Sequence, residues 1–160
     1  MSLSNTVKNF LKEGKQKESE FARLLDGAKS STRSQDINEH WDIKLEREVK
    51  IDVKGMKRNR RDGDFDENIH WIELKNVQGK SGWLYGQATH FAFETSSYWV
   101  IVEKLSLQEL VSQLCKSKER ADNVGDALYK LYGRRGRKDL ITKIKTLDLC
   151  SIAESMIKKS

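Results

Sequence analysis

Residues 43–53 constrain the fold more than any other segment, because their apolar residues occupy one parity of the chain. These residues are Ile43, Leu45, Val49, Ile51 and Val53. A period of two is typical of a β-strand that buries one face. The polar run 46–48 interrupts the pattern and indicates a turn. The segment therefore predicts a hairpin formed by strands 41–46 and 48–55.

The rest of the chain alternates between strand-like and helix-like periodicity. Further strands are predicted at 69–77, 88–94, 97–103 and 139–145. Strand 97–103 is apolar on both faces, which is typical of a central strand. Helical spacing predicts helices at 4–12, 16–28, 105–115 and 148–158, with a helical turn at 36–40. The expected fold is α/β (α+β), a mixed central β-sheet flanked by helices in which the hairpin and strand 69–77 form a meander.

Length and charge narrow the kinds of protein to consider. A chain of 160 residues with 37% apolar and 34% charged residues suits one globular domain, 1–160. The net charge of +6 favours a polyanionic partner. Basic residues concentrate after the hairpin (Lys54, Lys57, Arg58, Arg60, Arg61) and in the loop 133–138 (Arg134, Arg135, Arg137, Lys138). Both clusters are candidate phosphate-binding segments, and both are also compatible with solvated loops.

The two cysteines and the distribution of apolar residues predict the compartment. Cys115 and Cys150 each lie in an apolar helical pattern without a nearby cysteine or histidine, which indicates free thiols and a reducing cytoplasm. No apolar run approaches the roughly 18 residues that a membrane span requires. The first residues have no signal-peptide pattern. We therefore expect a cytoplasmic protein without a membrane partner.

Candidate catalytic residues lie on two of the predicted strands. Strand 48–55 buries its odd-numbered residues, so Asp52 points to the opposite face. On strand 69–77, Glu73 and Lys75 share the face opposite Ile72 and Leu74. If the two strands are neighbours, the carboxylates converge, and such a pair favours a hard cation such as Mg²⁺ or Mn²⁺. A solvated face of an amphipathic sheet would show the same residues.

Asp52 followed by Glu73-Leu74-Lys75 resembles the PD-(D/E)XK nuclease superfamily. The stretch WIELKNVQGKSGWLYGQATHFAFE (71–94) is also similar to small phage-type proteins of that superfamily. The resemblance covers roughly residues 14–103, leaving the basic loop and the predicted C-terminal strand and helix, 127–158, outside it. It implies a restriction-endonuclease-like fold in which Asp52, Glu73 and the Leu74 carbonyl bind the metal and Lys75 is catalytic. One departure is Ile51, which stands where the superfamily often has proline.

The resemblance adds two further candidate residues. Resolvase-like members place a glutamate on the first helix, often four residues after a glycine; Gly14 and Glu18 fit this spacing, and Glu20 is the rival. Many members also place a glutamine after the core motif, and Gln87 occupies that position. The histidines lack the spacing of a zinc site.

Three kinds of function are compatible with these features. The leading hypothesis is a Mg²⁺-dependent DNA endonuclease of phage-type DNA processing, acting in the host cytoplasm if phage-encoded. The alternative is a catalytically silent DNA-binding protein on a nuclease scaffold, and a structural or assembly protein is the third. Exonuclease activity and RNA substrates remain open, and a homodimer is a candidate assembly because relatives that cut two strands are often dimers.

Overall fold

The computed structural model describes residues 5–25, 27–45, 48–58, 63–115 and 119–160, with residues 5–12 described by their backbone. The helices are α1 (Asn5–Ala22), α2 (Arg33–Glu39), α3 (Lys104–Leu114) and α4 (Thr146–Ser151). The strands are β1 (Lys29–Ser30), β2 (Ile43–Lys44), β3 (Lys50–Lys54), β4 (Lys57–Arg58), β5 (Phe65–Asp66), β6 (Ile69–Lys75), β7 (His90–Glu94), β8 (Tyr98–Glu103), β9 (Leu140–Lys145) and β10 (Ser155–Lys158). Short 3₁₀ helices occupy Trp83–Tyr85 and Val124–Asp126.

Six strands form the main sheet in the order β1-β2-β3-β7-β8-β10. β2 and β3 are antiparallel, which confirms the predicted hairpin, and β3 then pairs with β7 in parallel. β8 lies between β7 and β10 and buries four consecutive residues, Trp99 to Val102, as its apolar sequence predicts. The main sheet is therefore mixed and has helices packed against it, as expected.

Two apolar clusters cover the two faces of this sheet. On one face, Phe21 of α1 packs edge-on against Trp99, with ring centroids 5.1 Å apart, beside Ile51 and Ala92. On the other face lie Phe91 and Phe93 with residues from α3, α4, β6 and β9. Asp52 pairs in register with Phe91, so its side chain shares the second face, whereas Glu94 shares the first face with Ala92.

The predicted meander is wrong. β6 pairs with β9 in a separate two-stranded sheet, and β7 takes the place beside β3 that the prediction gave to β6. β7 is apolar at three consecutive positions, Phe91 to Phe93, and suits an internal strand of the main sheet. β6 instead buries His70 and Ile72 against the second cluster and exposes Lys75.

Two helix predictions also need correction. In place of two helices predicted at 4–12 and 16–28, the structure has a single helix, α1 (Asn5–Ala22), which runs through Gly14. A glycine inside a helix costs only about 1 kcal/mol, less than the burial of one large side chain such as Phe21 stabilises. The predicted C-terminal helix 148–158 ends at Ser151, and residues 155–158 form the strand β10, because β8 still has an unpaired edge there.

Candidate metal and phosphate site

Two buried aspartates lie side by side at the β2–β3 hairpin. Asp52 is in the middle of β3, and Asp42 immediately precedes β2, after α2 ends at the left-handed residue His40. The aspartates are 4% and 5% exposed. Asp42 Oδ2 accepts the Val53 backbone N–H at 2.6 Å, so the Asp42 side chain is fixed to β3 at the residue next to Asp52. The hairpin thus supplies one carboxylate from each of its arms.

The electrostatics of this pair favour a bound cation. Burial raises the pKa of Asp52 to about 8; the Lys54 ammonium opposes that rise and Asp42 adds to it. Burial likewise raises the pKa of Asp42, with the Val53 N–H and Lys54 opposing. Among the described residues, no hydrogen-bond donor reaches the buried Asp52 Oδ2. A proton or a metal ion is the group that such an oxygen lacks.

Lys54 is held next to the aspartates by two contacts. Its ammonium lies 2.8 Å from Asp52 Oδ1 and 4.3 Å from the centre of the Trp83 ring. Trp83 itself packs against Phe91, with ring centroids 5.0 Å apart. A lysine so placed cannot ligate a metal, but it can bind a phosphate oxygen or stabilise negative charge that develops beside the carboxylates.

Glu18 adds a third carboxylate from the first helix. Burial and then Asp42 raise the pKa of Glu18, and the Lys15 ammonium, 2.8 Å from Glu18 Oε2, opposes both. Glu20 instead lies 3.9 Å from Lys17. The structure therefore brings Glu18, the favoured of the two sequence candidates, into the electrostatic neighbourhood of the aspartates.

The donor set fits magnesium better than a metal bound by protein ligands alone. In the described parts of the chain, no three histidine, cysteine, aspartate or glutamate side chains form a ready-made metal cage. Mg²⁺ does not need one, because it commonly binds one or two carboxylates and completes its shell with water and substrate phosphate. Asp42 and the unpartnered oxygen of Asp52 supply such a pair.

The predicted catalytic residues Glu73, Leu74 and Lys75 lie on β6, which is not a neighbour of β3. Glu73 lies on β6, outside the main sheet, and its Oε1 accepts the Trp83 N–H at 3.3 Å. The Leu74 carbonyl accepts the Gly82 N–H at 2.9 Å. Gly82 approaches β6 so closely that a Cβ there would lie 2.5 Å from the Glu73 carbonyl oxygen. Lys75 is exposed. The premise that Glu73 and Lys75 follow a neighbour of β3 is wrong, since the side chain next to Asp52 in the main sheet is Phe91.

Gln87 and the basic residues that were predicted to bind phosphate differ in their exposure and in their contacts. Gln87 is exposed, and its backbone N–H donates to the Glu39 carbonyl at 2.7 Å. Lys57 and Arg58 are exposed on β4, and the Arg58 guanidinium lies 4.1 Å from the centre of the Phe65 ring. Arg134 is anchored, because its Nε donates to the buried Asp139 at 2.5 Å. Arg135, Arg137 and Lys138 are exposed. Arg60 and Arg61 lie outside the described residues.

Asp42 is the residue that the sequence analysis missed. The predicted motif was an aspartate on one strand followed by Glu-x-Lys on another. Within one hairpin, Asp42 followed by Asp52-Val53-Lys54 has the same order, an acid followed by acid-x-lysine. The signal was present, since the apolar parity of 43–53 already put Asp52 and Lys54 on one face. The position of Asp42 was not predicted: it lies just before β2, where the hairpin register brings it towards Asp52.

Comparisons with protein-family models, with curated proteins and with solved structures find no match to this chain. Among the described residues, no helix is both long enough and apolar enough to cross a membrane. Cys115 and Cys150 are free thiols, as the sequence predicts.

Proposed function

We propose that this protein is a metal-dependent nuclease that hydrolyses DNA phosphodiester bonds at Asp42, Asp52 and Lys54. The supporting observation is the buried aspartate pair with its unpartnered oxygen, placed next to a fixed lysine. A pair of this kind is costly for the fold unless a cation or a proton joins it. The PD-(D/E)XK resemblance is part of this proposal, with its acidic and lysine positions assigned to the hairpin.

The chain's own residues account for most of the proposed chemistry. Asp42 and Asp52 would hold Mg²⁺ or Mn²⁺, with Glu18 close enough to influence the same site. When bound, the ion would polarise the phosphate and lower the pKa of a water molecule. Lys54, held by Asp52 and Trp83, would stabilise the charge that grows on the phosphate oxygens in the transition state.

Binding of the DNA backbone is assigned to exposed cations around the site. Lys57 is exposed on β4, and it lies close enough to Lys54 and Asp52 to interact with both of their charges. Arg135, Arg137 and Lys138 form an exposed basic loop next to the anchored Arg134. Phosphate contacts of this type make binding strongly dependent on salt, because each one releases condensed counterions.

The decisive experiment compares two lysines in a cleavage assay on supercoiled plasmid and branched DNA. Lys54→Ala should abolish cleavage in Mg²⁺ or Mn²⁺, and Lys75→Ala should retain it. EDTA should stop cleavage by the wild-type protein. Loss of cleavage in Lys75→Ala with retention in Lys54→Ala would instead support the arrangement of Asp52, Glu73 and Lys75.

DNA binding by the same variants separates a nuclease from a silent binding protein. A nuclease should bind DNA in calcium with Lys54→Ala nearly as well as with the wild type. If pure wild-type protein binds DNA but cuts no substrate in any divalent metal, the catalytically silent DNA-binding function replaces the nuclease. Absence of both activities at low salt would favour an assembly role.

A further inference from the structure

A second feature of the surface lies next to the proposed catalytic site. A cleft of about 480 Å³ opens between β6, the 3₁₀ helix Trp83–Tyr85 and the basic loop. The side chains that give it chemical character are Lys57, Trp71, Glu73, Trp83, Tyr132 and Arg134. Its volume lies within the range of roughly 300–1,000 Å³ that is usual for small-molecule sites.

The cleft is continuous with the catalytic site through Trp83 and Lys57. The Trp83 ring contacts the Lys54 ammonium and also lines the cleft. Lys57 lines the cleft as well, and its electrostatic neighbours are Lys54 and Asp52. A group bound in the cleft would thus lie close to a phosphate held by Lys54.

The lining combines flat aromatic surfaces with charges of both signs. Trp71 and Tyr132 are half-buried, and Lys143 lies 4.8 Å from the centre of the Trp71 ring. Arg134 is fixed by the buried Asp139, so its position in the cleft wall is set before any ligand binds. Aromatic rings provide stacking surfaces for nucleobases, and charged side chains can discriminate among base edges.

Glu73 has acceptor positions to spare for a ligand in the cleft. The weak bond from the Trp83 N–H, at 3.3 Å, uses one of about four acceptor positions on the carboxylate. Guanine offers two parallel donors, N1–H and N2–H, to a carboxylate, and its O6 and N7 acceptors suit lysine and arginine. Adenine and cytosine lack that combination of paired donors and an acceptor edge facing cations.

We propose that this cleft binds a guanine nucleotide next to the cleaved phosphate, with the base between Trp71 and Tyr132, its donors on Glu73 and its acceptor edge toward Lys57 or Arg134. This inference rests on the proposed nuclease function, since it assigns the cleft to that enzyme's substrate. Glu73, which the sequence analysis assigned to the metal, would then determine base preference.

Binding of deoxynucleoside monophosphates to the full chain in EDTA tests the base preference without any cleavage. Tryptophan fluorescence or calorimetry should show dGMP binding at least tenfold more tightly than dAMP or dCMP, with dIMP between them because it lacks the N2 amino group. Trp71→Ala should weaken dGMP binding by roughly tenfold, the loss of one stacking contact. Equal binding of all bases would overturn the proposal.

Glu73→Gln tests the specific contact, and Glu109→Gln, on the exposed surface of α3, is its matched control. Glu73→Gln should abolish the preference for dGMP over dAMP, and the control should keep it. Thermal unfolding of both variants establishes that they are folded. If a folded Glu73→Gln protein retains the full preference, Glu73 does not contact the base.

Two further comparisons show whether the ligand is a nucleic-acid strand or a free nucleotide, and whether the cleft proposal and the nuclease proposal fail separately. A short oligothymidylate with a single guanine should bind more tightly than dGMP if the ligand is a nucleic-acid strand, whereas equal binding would identify a free nucleotide and overturn the strand assignment. Cleavage without guanine preference would overturn the cleft assignment and leave the nuclease intact. Guanine-selective binding without cleavage in any metal would overturn the nuclease and leave a guanine-binding cleft.

Discussion

Two buried carboxylates on the neighbouring strands β3 and β7 have opposite electrostatics. Glu94 is fully buried on one face of the sheet, where it accepts from Lys17 at 2.7 Å, from Lys159 at 2.9 Å and from the Met56 N–H at 2.9 Å. Burial acts to raise its pKa, but the bonds from the two lysines lower it overall. Asp52, buried on the other face, lies 2.8 Å from Lys54 and close to Asp42, no described residue donates to its Oδ2, and burial raises its pKa to about 8.

The difference separates a stabilising carboxylate from one suited to function. Glu94 joins α1, the segment after β3 and Lys159, which follows β10, to one strand, and its negative charge is fully matched. Within the described parts of the chain, Asp52 is left with a deficit, because no group partners its Oδ2. Proteins concentrate such deficits where a ligand or metal completes the site.

The largest expected effect is the loss of cleavage in Asp52→Asn. The amide retains the size of the side chain but removes the negative charge that would hold a divalent cation. We expect cleavage to fall by at least ~10³-fold, about 4 kcal/mol of transition-state stabilisation. Stability should stay the same or rise, because a neutral amide has no buried charge to desolvate. Initial rates of plasmid cleavage and urea unfolding measure the two quantities; a variant that cuts normally would remove Asp52 from the catalytic site.

Glu94→Ala should lower the stability of the fold and leave cleavage nearly unchanged. Removal of this buried carboxylate takes away the ion pair of Lys159 and the shorter ion pair of Lys17, which keeps only its 3.9 Å contact with Glu20. We expect a loss of about 3 kcal/mol in unfolding free energy, at the lower end for a buried pair because both lysines are partly exposed. Specific activity per folded molecule should change little. Urea unfolding measures the loss, and Glu109→Ala on exposed α3 is the matched control. Equal stabilities of the two variants would contradict the structural role of Glu94.

The same contrast shows what the sequence could and could not predict. Side-chain periodicity states which face of a strand is buried, and it placed Asp52 and Lys54 opposite Ile51 and Val53 correctly. It does not state which strand is the neighbour. β3 pairs with β7, nearly forty residues away along the chain, and that choice depends on how two apolar strands pack together.

The missed residue has a related physical cause. Asp42 is in the short connection between α2 and β2, where polar residues are ordinary, so its burial could not be read from periodicity. The left-handed conformation of His40 ends α2 and directs the chain into the hairpin. Glu18, by contrast, was a sequence candidate through its spacing from Gly14, and it lies on α1 one turn before the buried Phe21.

A divalent cation should stabilise the wild-type fold through the aspartate pair. At a calcium concentration about 100-fold above Kd, binding should add about 2.7 kcal/mol, which for a domain of this size raises Tm by roughly 5–10 °C. Asp52→Asn should lose this response and Glu94→Ala should keep it. Thermal unfolding with calcium and with EDTA provides the comparison. An equal rise in Tm for wild type and Asp52→Asn would show that the cation binds elsewhere.

The smallest expected effect concerns His70, a third buried titratable group. His70 is 3% exposed on β6, its ring centroid is 5.1 Å from that of Phe93, and no described residue forms a hydrogen bond with its Nε2. Burial lowers the pKa of His70 to about 4, below its unfolded value of about 6.5. The unfolded chain therefore binds more protons than the folded one between these values, and stability falls as pH drops through this window. At pH 5 the loss should be about 2 kcal/mol.

His70→Leu should remove that pH-dependent loss, because leucine has no proton to gain on unfolding. The difference in unfolding free energy between His70→Leu and wild type should shift by about 2 kcal/mol in favour of the variant between pH 7 and pH 5. His40→Asn is the matched control, since asparagine tolerates the left-handed conformation at that position. Parallel pH profiles for wild type and His70→Leu would show that the pKa of His70 is the same in the folded and unfolded protein. His70 would then take up a proton in the folded state as readily as in the unfolded one.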